Sequence, residues 1–267
     1  LTYGVLTYGV LLDEKVIMFE DFLNFLSARK SSHTVKAYKT DLKSFLLWCS
    51  TNNIRPPKAI AYDINRYLTG LGLSRRTLAR KRASLNSFYR FLKSSKQVND
   101  NPITEVEGFK IPRRKPDYLS LDEIWQLRHA TRDLALFEFL LSSGVRESEV
   151  CGLNWHQVDL QNRVARVIGK GDKEREVLFS ETSAKLLSEL PKSVAAVFTD
   201  KREKRLAVHI VYYRIHKLSK FIGRNVYPHL LRHTFATHLV DKGVSLVEVQ
   251  QLLGHESVST TALYTHP

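Results

Sequence analysis

Apolar residues recur at helical spacing in four stretches of the first hundred residues, and short polar or proline-containing segments separate these stretches. Serine residues stand where two of the stretches begin, in the position that favours an N-cap. The pattern predicts four helices, near residues 16–29, 32–51, 61–71 and 74–98. Four helices with short connections are typical of a small bundle.

A change of composition follows this bundle, in the segment FKIPRRKPDYLSLDEI. Two prolines bracket three basic residues and stiffen the chain, which is typical of a linker between domains. Ser120 and Glu123 then form the sequence pattern of a capping box, which predicts a new helix.

The N-terminal segment of the chain is also unusual, since LTYGV occurs twice and the only methionine is Met18. We therefore predict an extension of doubtful origin at 1–17, a helical domain at 18–110, a basic linker at 111–118 and a second domain at 119–267.

The second domain combines helical patterns with one short region of alternating apolar and polar residues. Two buried helices are predicted to meet at Ser142–Ser143–Gly144. The segment NRVARVIGKGDKEREVLF predicts a β-hairpin with a glycine-rich tip. Pro228 begins a further helix, and Ser245 with Glu248 predicts another that ends at Gly254. The fold class predicted is mainly α with a small β-sheet or hairpin.

Composition and charge narrow the classes of function. A hydrophobic content of 43% argues against disorder, and a net charge of +14 with a pI near 9.8 favours a polyanionic partner. No apolar run approaches the ~20 residues of a membrane-spanning helix. Cys49 and Cys151 are far apart within apolar stretches, which is typical of reduced thiols in a cytoplasmic protein. Nucleic acid is therefore the favoured partner.

The fourth predicted helix concentrates this positive charge. Residues 71–98 carry eight Lys or Arg and no Asp or Glu. A solvated helix face usually mixes both signs, so we interpret this helix as facing DNA phosphates, although a merely basic surface helix stays open. The predicted DNA-binding residues on the helix and the linker are Arg75, Arg76, Arg80, Lys81, Arg82, Arg113, Arg114 and Lys115.

Several motifs of the second domain carry candidate chemistry. Arg146 opens a helix in an apolar setting, and its planar fork suits a phosphate, or alternatively a structural pair with Glu149. Lys170 stands between two glycines of the hairpin tip and is either a ligand contact or an ordinary turn lysine. The P-loop pattern is missing here.

The last forty residues contain the densest motif, HLLRHTFATHL. His229 and Arg232 share a helix face, and His233 lies four residues after His229, which would suit zinc except that a third ligand and a general-base glutamate are missing. His238 fits a packed helix face. His255 follows the predicted cap at Gly254, and Tyr264 is either a buried anchor or a nucleophile on a movable segment.

Together these residues form a set with one clear use. Two arginines can clamp a phosphodiester and offset transition-state charge, a tyrosine can attack phosphorus, and a cation can protonate the leaving 5′-oxygen. Since no cluster of metal-binding carboxylates is visible, we expect neither a metal nor another cofactor.

The motifs resemble those of the tyrosine recombinase (integrase) family, and most of all its Xer branch. The segments SGVRESEVCGL and VIGKGDKERE are similar to the first arginine box and the lysine hairpin of that family. HLLRHTFATHL and LLGHESVSTTALYTH resemble its second box, in the same order along the chain.

This resemblance implies a two-domain DNA clamp, with a core-binding domain and a catalytic domain. It implies that Tyr264 forms a 3′-phosphotyrosyl link with DNA, that Lys170 protonates the leaving group and that Glu149 supports the site. The other roles it implies are phosphate binding by Arg146, Arg232 and His255, and proton acceptance by His229. It also implies strand exchange between two DNA sites without ATP, in a tetrameric synapse of copies that are monomers off DNA.

Three departures from the family pattern qualify these expectations. Glu147 stands where an apolar residue is common, the interval from Lys170 to His229 is short, and the chain stops at Pro267 where Xer proteins continue into a docking helix. A topoisomerase of type IB and a catalytically silent DNA-binding regulator stay open as alternatives. Chromosome dimer resolution, as in chromosome segregation, and movement of a genetic element are both compatible with the sequence.

Overall fold

The computed structural model describes residues 17–111, 117–169 and 172–254. The chain divides into two compact units, residues 1–113 and 114–267. Most of each unit is helical, and the described strands form one small antiparallel sheet in the second unit. The predicted fold class is confirmed, while the domain boundaries at 18–110, 111–118 and 119–267 stay a prediction.

The first unit contains the four helices that the apolar pattern predicts. The chain is helical over residues 17–27, which we name α1. The next three helices are α2 (Ser32–Thr51), α3 (Ala61–Thr69) and α4 (Arg75–Ser94). The side chains of Ser31 and Ser74 accept hydrogen bonds from backbone N–H groups of the first turn, which explains where α2 and α4 begin.

Aromatic side chains fill the core of this unit. Phe22, Phe45 and Phe88 are fully buried, and Phe22 meets Phe88 edge to face at a centroid distance of 5.3 Å. Tyr89 is also buried, and its hydroxyl donates to the carbonyl of Pro56. The polar atom of this side chain therefore has a hydrogen-bond partner inside the core. This packing holds α4 against α1 and α2.

The second unit begins with three helices, α5 (Leu121–Ala130), α6 (Leu134–Ser143) and α7 (Glu147–Gly152). The sheet follows, with strands β1 (Val158–Asp159), β2 (Val164–Ile168) and β3 (Glu174–Leu178) in the order β1-β2-β3. The remaining helices are α8 (Glu181–Ser188), α9 (Val208–His216), α10 (Ser219–Ile222), α11 (Pro228–Asp241) and α12 (Leu246–Leu253). The hairpin of β2 and β3 and the starts of α5, α11 and α12 agree with the sequence predictions.

Helix α6 forms the centre of this unit and packs against α8 and α11. It is apolar around most of its circumference, with Phe137, Phe139 and Leu140 fully buried. Gly144 ends α6 in the left-handed conformation with φ of 61°. This turn brings Arg146, the N-cap of α7, next to the core, as the segment SSGVR predicts.

Candidate active site

The site is built where the start of α7, the hairpin, α11 and the end of α12 meet. Arg146 lies at the start of α7 and Arg232 lies in the middle of α11. Both guanidinium groups reach the last carbonyl groups of α12: Arg146 Nη2 lies 3.3 Å from the Gly254 carbonyl oxygen, and Arg232 Nη2 lies 2.6 Å from that of Leu253. The end of a helix leaves such carbonyl groups without partners inside the helix and carries a partial negative charge. It therefore attracts both arginines to one place.

Arg232 is 1% exposed, which is unusual for an arginine. Its Nη1 donates to the carbonyl of Gly144 at 2.6 Å, so the same side chain connects the α6–α7 turn with the end of α12. A side chain at position 144 would overlap the ring of Phe235, and the positive φ disfavours one as well. A glycine here therefore allows α11 to approach the turn closely enough for Arg232 to bind its backbone.

Glu149 is the acidic centre of the site and is 3% exposed. One carboxylate oxygen accepts from Arg146 Nη1 at 2.8 Å, and the other accepts from the Arg146 backbone N–H at 2.8 Å. Burial raises the pKa of this carboxyl, but hydrogen bonds from Arg175 and from the Arg146 backbone outweigh burial and hold the pKa below its usual range. Glu149 is therefore a charged partner of two arginines, and the predicted Arg146–Glu149 pair is present.

Arg175 is a member of this site that the sequence analysis did not single out. It lies on β3, and its Nη1 and Nη2 donate to the two oxygens of Glu149 at 2.6 and 2.9 Å. Its Nε donates to the carbonyl of Leu252 at 3.4 Å. The three consecutive carbonyl groups from Leu252 to Gly254 therefore accept from three different arginines.

His229 lies one turn before Arg232 on α11 and is exposed on the surface of the helix. Neighbouring protein atoms partly desolvate its imidazole and so lower the pKa of this group. The positive charges of Arg232 and Arg146 lower the pKa further. Its ring lies edge-on to that of His233 at a centroid distance of 4.5 Å, and burial, then the neighbouring His229 and Arg232, lower the pKa of His233 to about 4. These shifts favour the neutral form of both rings.

Several residues that the sequence predicts to bind DNA or to act in catalysis lie outside the described residues: Lys170, His255, Tyr264, Arg113, Arg114 and Lys115. Among the described residues no group of three or more His, Cys, Asp or Glu side chains could hold a metal ion. Glu147 is half-buried, and burial raises the pKa of its carboxyl.

The interpretation of α4 relied on the absence of acidic residues within that helix, but the fold supplies an acidic partner from α2. Asp41 of α2 is 2% exposed and forms ion pairs with Arg80 and with Lys81, whose Nζ lies 3.3 Å from the carboxylate. Arg82 instead donates to the carbonyl groups of Ile103 and Val106. An acidic partner thus comes from another helix, which a scan of α4 alone could not reveal. Arg75 and Arg76 are exposed, and the contact with DNA predicted for them and for Arg80, Lys81 and Arg82 stays a prediction.

Two further observations concern membrane-spanning helices and the state of the cysteines. Within the described ranges, we find no helix of the length and hydrophobicity needed to cross a membrane. Cys49 and Cys151 are buried and reduced, as predicted.

Comparison with known proteins identifies the family. The model of the phage integrase family matches residues 118–267, and that of the phage integrase N-terminal SAM-like domain matches residues 19–96. The chain is 36% identical to the tyrosine recombinase XerC of Thermodesulfovibrio yellowstonii, over 92% of this chain and 90% of that protein. It is 33% identical to the tyrosine recombinase XerD of Bifidobacterium longum, over 92% of this chain and 91% of that protein.

The fold is also similar to a solved structure. A lambda integrase dimer bound to a COC′ core site matches with a TM-score of 0.78 and 17% identity, over 92% of this chain and 93% of that one. The resemblance that the motifs predict is thereby confirmed. The chain belongs to the phage integrase family and is an enzyme of the tyrosine recombinase class.

Proposed function

We propose that this protein cuts and rejoins DNA strands through a 3′-phosphotyrosyl intermediate and exchanges strands between two DNA sites. The observation that carries this proposal is the convergence of Arg146 and Arg232 at the end of α12, one residue before His255. Two guanidinium groups in one place suit the non-bridging oxygens of a single phosphate. Their charge would stabilise the extra negative charge of a pentavalent transition state.

The covalent step balances with residues of this chain. The hydroxyl oxygen of Tyr264 attacks the scissile phosphorus, the bond from phosphorus to the 5′-oxygen breaks, and a phosphotyrosyl bond to the 3′ end forms. His229 accepts the tyrosine proton, and Lys170 donates a proton to the leaving 5′-oxygen. The lowered pKa of His229 favours its neutral form, which supports its role as the proton acceptor.

Rejoining is the reverse of this step. A 5′-hydroxyl of a partner strand attacks the phosphotyrosyl bond, the phosphodiester forms again and Tyr264 leaves with its proton returned. The energy of the broken bond is kept in the intermediate, so the exchange needs no ATP. His255 would add a further contact to the phosphate.

Burial of Arg232 bears on how DNA enters the site. At 1% exposure its guanidinium cannot meet a phosphate unless neighbouring chain moves aside. The proposed function therefore requires a conformational change around Arg232 when DNA binds.

The proposed partners are double-stranded DNA and further copies of the same chain. The net charge of +14 supports a polyanionic ligand, and the lambda integrase structure contains a dimer on its core site. We infer a clamp of the helical and catalytic domains around the duplex, and a tetrameric synapse for strand exchange. A cytoplasmic location stays a prediction.

A nicked suicide substrate tests the covalent step, because loss of a short fragment traps the phosphotyrosyl adduct. Tyr264→Phe should bind DNA as tightly as the wild type and form no adduct, since it loses the nucleophile and keeps the ring. Tyr213→Phe, at an exposed tyrosine of α9, is the matched control and should form adduct normally. Adduct on the Tyr264→Phe protein would refute the assignment, and absence of adduct from the wild type would favour a silent regulator. Relaxation of supercoils by a monomer at any sequence would favour a topoisomerase.

A further inference from the structure

Arg175 links three parts of the site through one side chain. In the sheet it lies opposite Val167, and the alternation along β3 places it on the same face as the buried Val177. From that face its guanidinium contacts both oxygens of Glu149 on α7 and the Leu252 carbonyl near the end of α12. The Arg175 side chain therefore connects the β2–β3 hairpin with α7 and with the last turn of α12.

The side chain of Arg175 is 15% exposed, and each of its three guanidinium nitrogens donates a hydrogen bond within the protein. An arginine that is occupied in this way has little capacity for a DNA phosphate. Its contribution must then pass through the groups that it holds, which distinguishes it from Arg146.

The contacts of Arg175 lie next to the hairpin tip. A Cβ at Gly169 would lie 3.3 Å from Glu149 Oε1 and 3.7 Å from Arg175 Nη1, so the backbone of Gly169 packs closely against the Glu149–Arg175 ion pair. The Gly169 N–H also donates to the Lys173 carbonyl at 2.8 Å, which closes the end of the β2–β3 ladder. The next residue in the chain is Lys170.

We propose that Arg175 is a positioning residue that fixes the β2–β3 hairpin against Glu149 and the end of α12, so that the lysine of the hairpin tip meets the leaving 5′-oxygen. The proposal rests on the proton-donor role in the proposed function. General acid catalysis requires hydrogen-bond distance between donor and leaving group. A displacement of about 1 Å can cost about 10²-fold in rate.

Replacing the bridging 5′-oxygen at the scissile phosphate by sulfur gives the test, because a thiolate, with a pKa near ~8.5, leaves without a proton donor. We expect Arg175→Ala to cleave ordinary DNA about 10²-fold more slowly than the wild type. On the sulfur substrate the same variant should cleave within a few-fold of the wild type. Arg175→Lys keeps the charge beside Glu149 and so protects folding, but it loses the paired hydrogen bonds and should show a smaller defect with the same rescue.

Arg166→Ala is the matched control on the same hairpin, since Arg166 is exposed and its nearest acidic partner, Glu176, lies 3.9 Å away. It should cleave both substrates at the wild-type rate. Equal slowing of both Arg175 variants on the two substrates would show a merely structural role, and wild-type rates on both would show no role. Either result overturns the proposal.

Variants of the two tip lysines separate this proposal from the proposed function. Rescue of Lys170→Ala by sulfur without rescue of the Arg175 variants refutes the positioning role alone. Rescue of Lys173→Ala in place of Lys170→Ala moves the donor along the hairpin, and rescue of the Arg175 variants would still support their role. If sulfur rescues none of these variants, the proton comes from elsewhere, and the positioning role falls together with the proton-donor role of the hairpin. Adduct on the suicide substrate would still support the phosphotyrosyl step.

Discussion

Replacement of Glu149 by glutamine removes one negative charge from the site and almost no volume. The carboxylate is 3% exposed and accepts from Arg146, from Arg175 and from the backbone N–H at the start of α7. The amide of glutamine can accept with only one oxygen, and its NH2 group would point at a guanidinium. The variant therefore weakens both ion pairs and leaves two cations beside each other.

The size of the effect follows from these contacts. A hydrogen bond to a charged group contributes about 1.5–3 kcal/mol and a neutral one about 0.5–1.5 kcal/mol. Loss of charge on two arginine contacts should therefore cost about 2 kcal/mol. A domain of this size loses about 2–4 °C in melting temperature per kcal/mol, so we expect a decrease of about 4–8 °C. Glu149→Ala should cost more, about 3–5 kcal/mol, because it leaves the two arginines without their carboxylate partner.

Thermal unfolding followed by circular dichroism measures this decrease, with Glu176→Gln as the matched control. Glu176 is an exposed glutamate of β3 and should change the melting temperature by no more than about 1 °C. The effect should also depend on pH. The pKa of Glu149 is lowered in the folded protein, so its stabilisation is complete above the ordinary glutamate pKa of about 4.3 and is lost as the pH falls through the lowered value. A melting temperature equal to that of the wild type at pH 7, or a difference that stays constant down to pH 3, would refute this account of Glu149.

Three further predictions concern DNA binding, backbone geometry and pH. The double variant Arg75→Ala, Arg76→Ala should reduce the slope of log DNA affinity against log salt concentration by about 2, measured by fluorescence anisotropy, with little loss of stability. Arg82→Ala should instead lower the melting temperature, because it removes hydrogen bonds to backbone carbonyl groups. Gly254→Ala should destabilise the protein by about 1–2 kcal/mol in urea unfolding, since φ is 62° and a Cβ would lie 2.9 Å from an arginine side chain. The single-turnover cleavage rate should be constant between pH 7 and 8 and fall in acid as His229 gains a proton, and His229→Gln should flatten that acidic limb. An unchanged salt slope, an unchanged urea midpoint or an acidic limb that persists in His229→Gln would contradict the respective prediction.

The helices of the first unit were predictable because each has a strong apolar period and a polar cap. Ser31 and Ser74 stand in the sequence where the structure has the N-caps of α2 and α4. Helices α8, α9 and α10 lie between residues 180 and 227, where the apolar pattern predicted no element. Helix α10 has only four residues, from Ser219 to Ile222, which is too short for a helical period to be visible. Strand β1 has two residues and exists through its pairing with β2, which is a tertiary contact.

Local motifs were enough to predict that Arg146, Glu149 and Arg232 belong to the site, but not what holds them together. Arg175 was missed although a signal for it exists. The alternation in VARVI and EREVL puts Arg175 on the same face as Val177, so a charged residue faces the core there and requires a buried partner. The partner is Glu149, which lies 26 residues earlier, and only the fold brings the two together.

The net charge of +14 therefore divides into two kinds of cation. Some neutralise the protein itself: Asp41 binds Arg80 and Lys81, and Glu149 binds Arg175. At the candidate site the balance is different, because Arg146 and Arg175 share the one buried carboxylate of Glu149. The carbonyl groups at the end of α12 supply only partial negative charge, about half an elementary charge for a whole helix.

Among the described residues, two guanidinium groups thus share a single carboxylate close to Gly254, where α12 ends. In a buried setting such an excess is costly unless an anion completes it. A phosphate would supply the missing charge, and it would do so most strongly in a transition state that carries more negative charge than the ground state. The arrangement therefore favours catalysis on a phosphodiester over tight binding of DNA alone. In the proposed reaction, the same arginines would lower the barrier to strand cleavage.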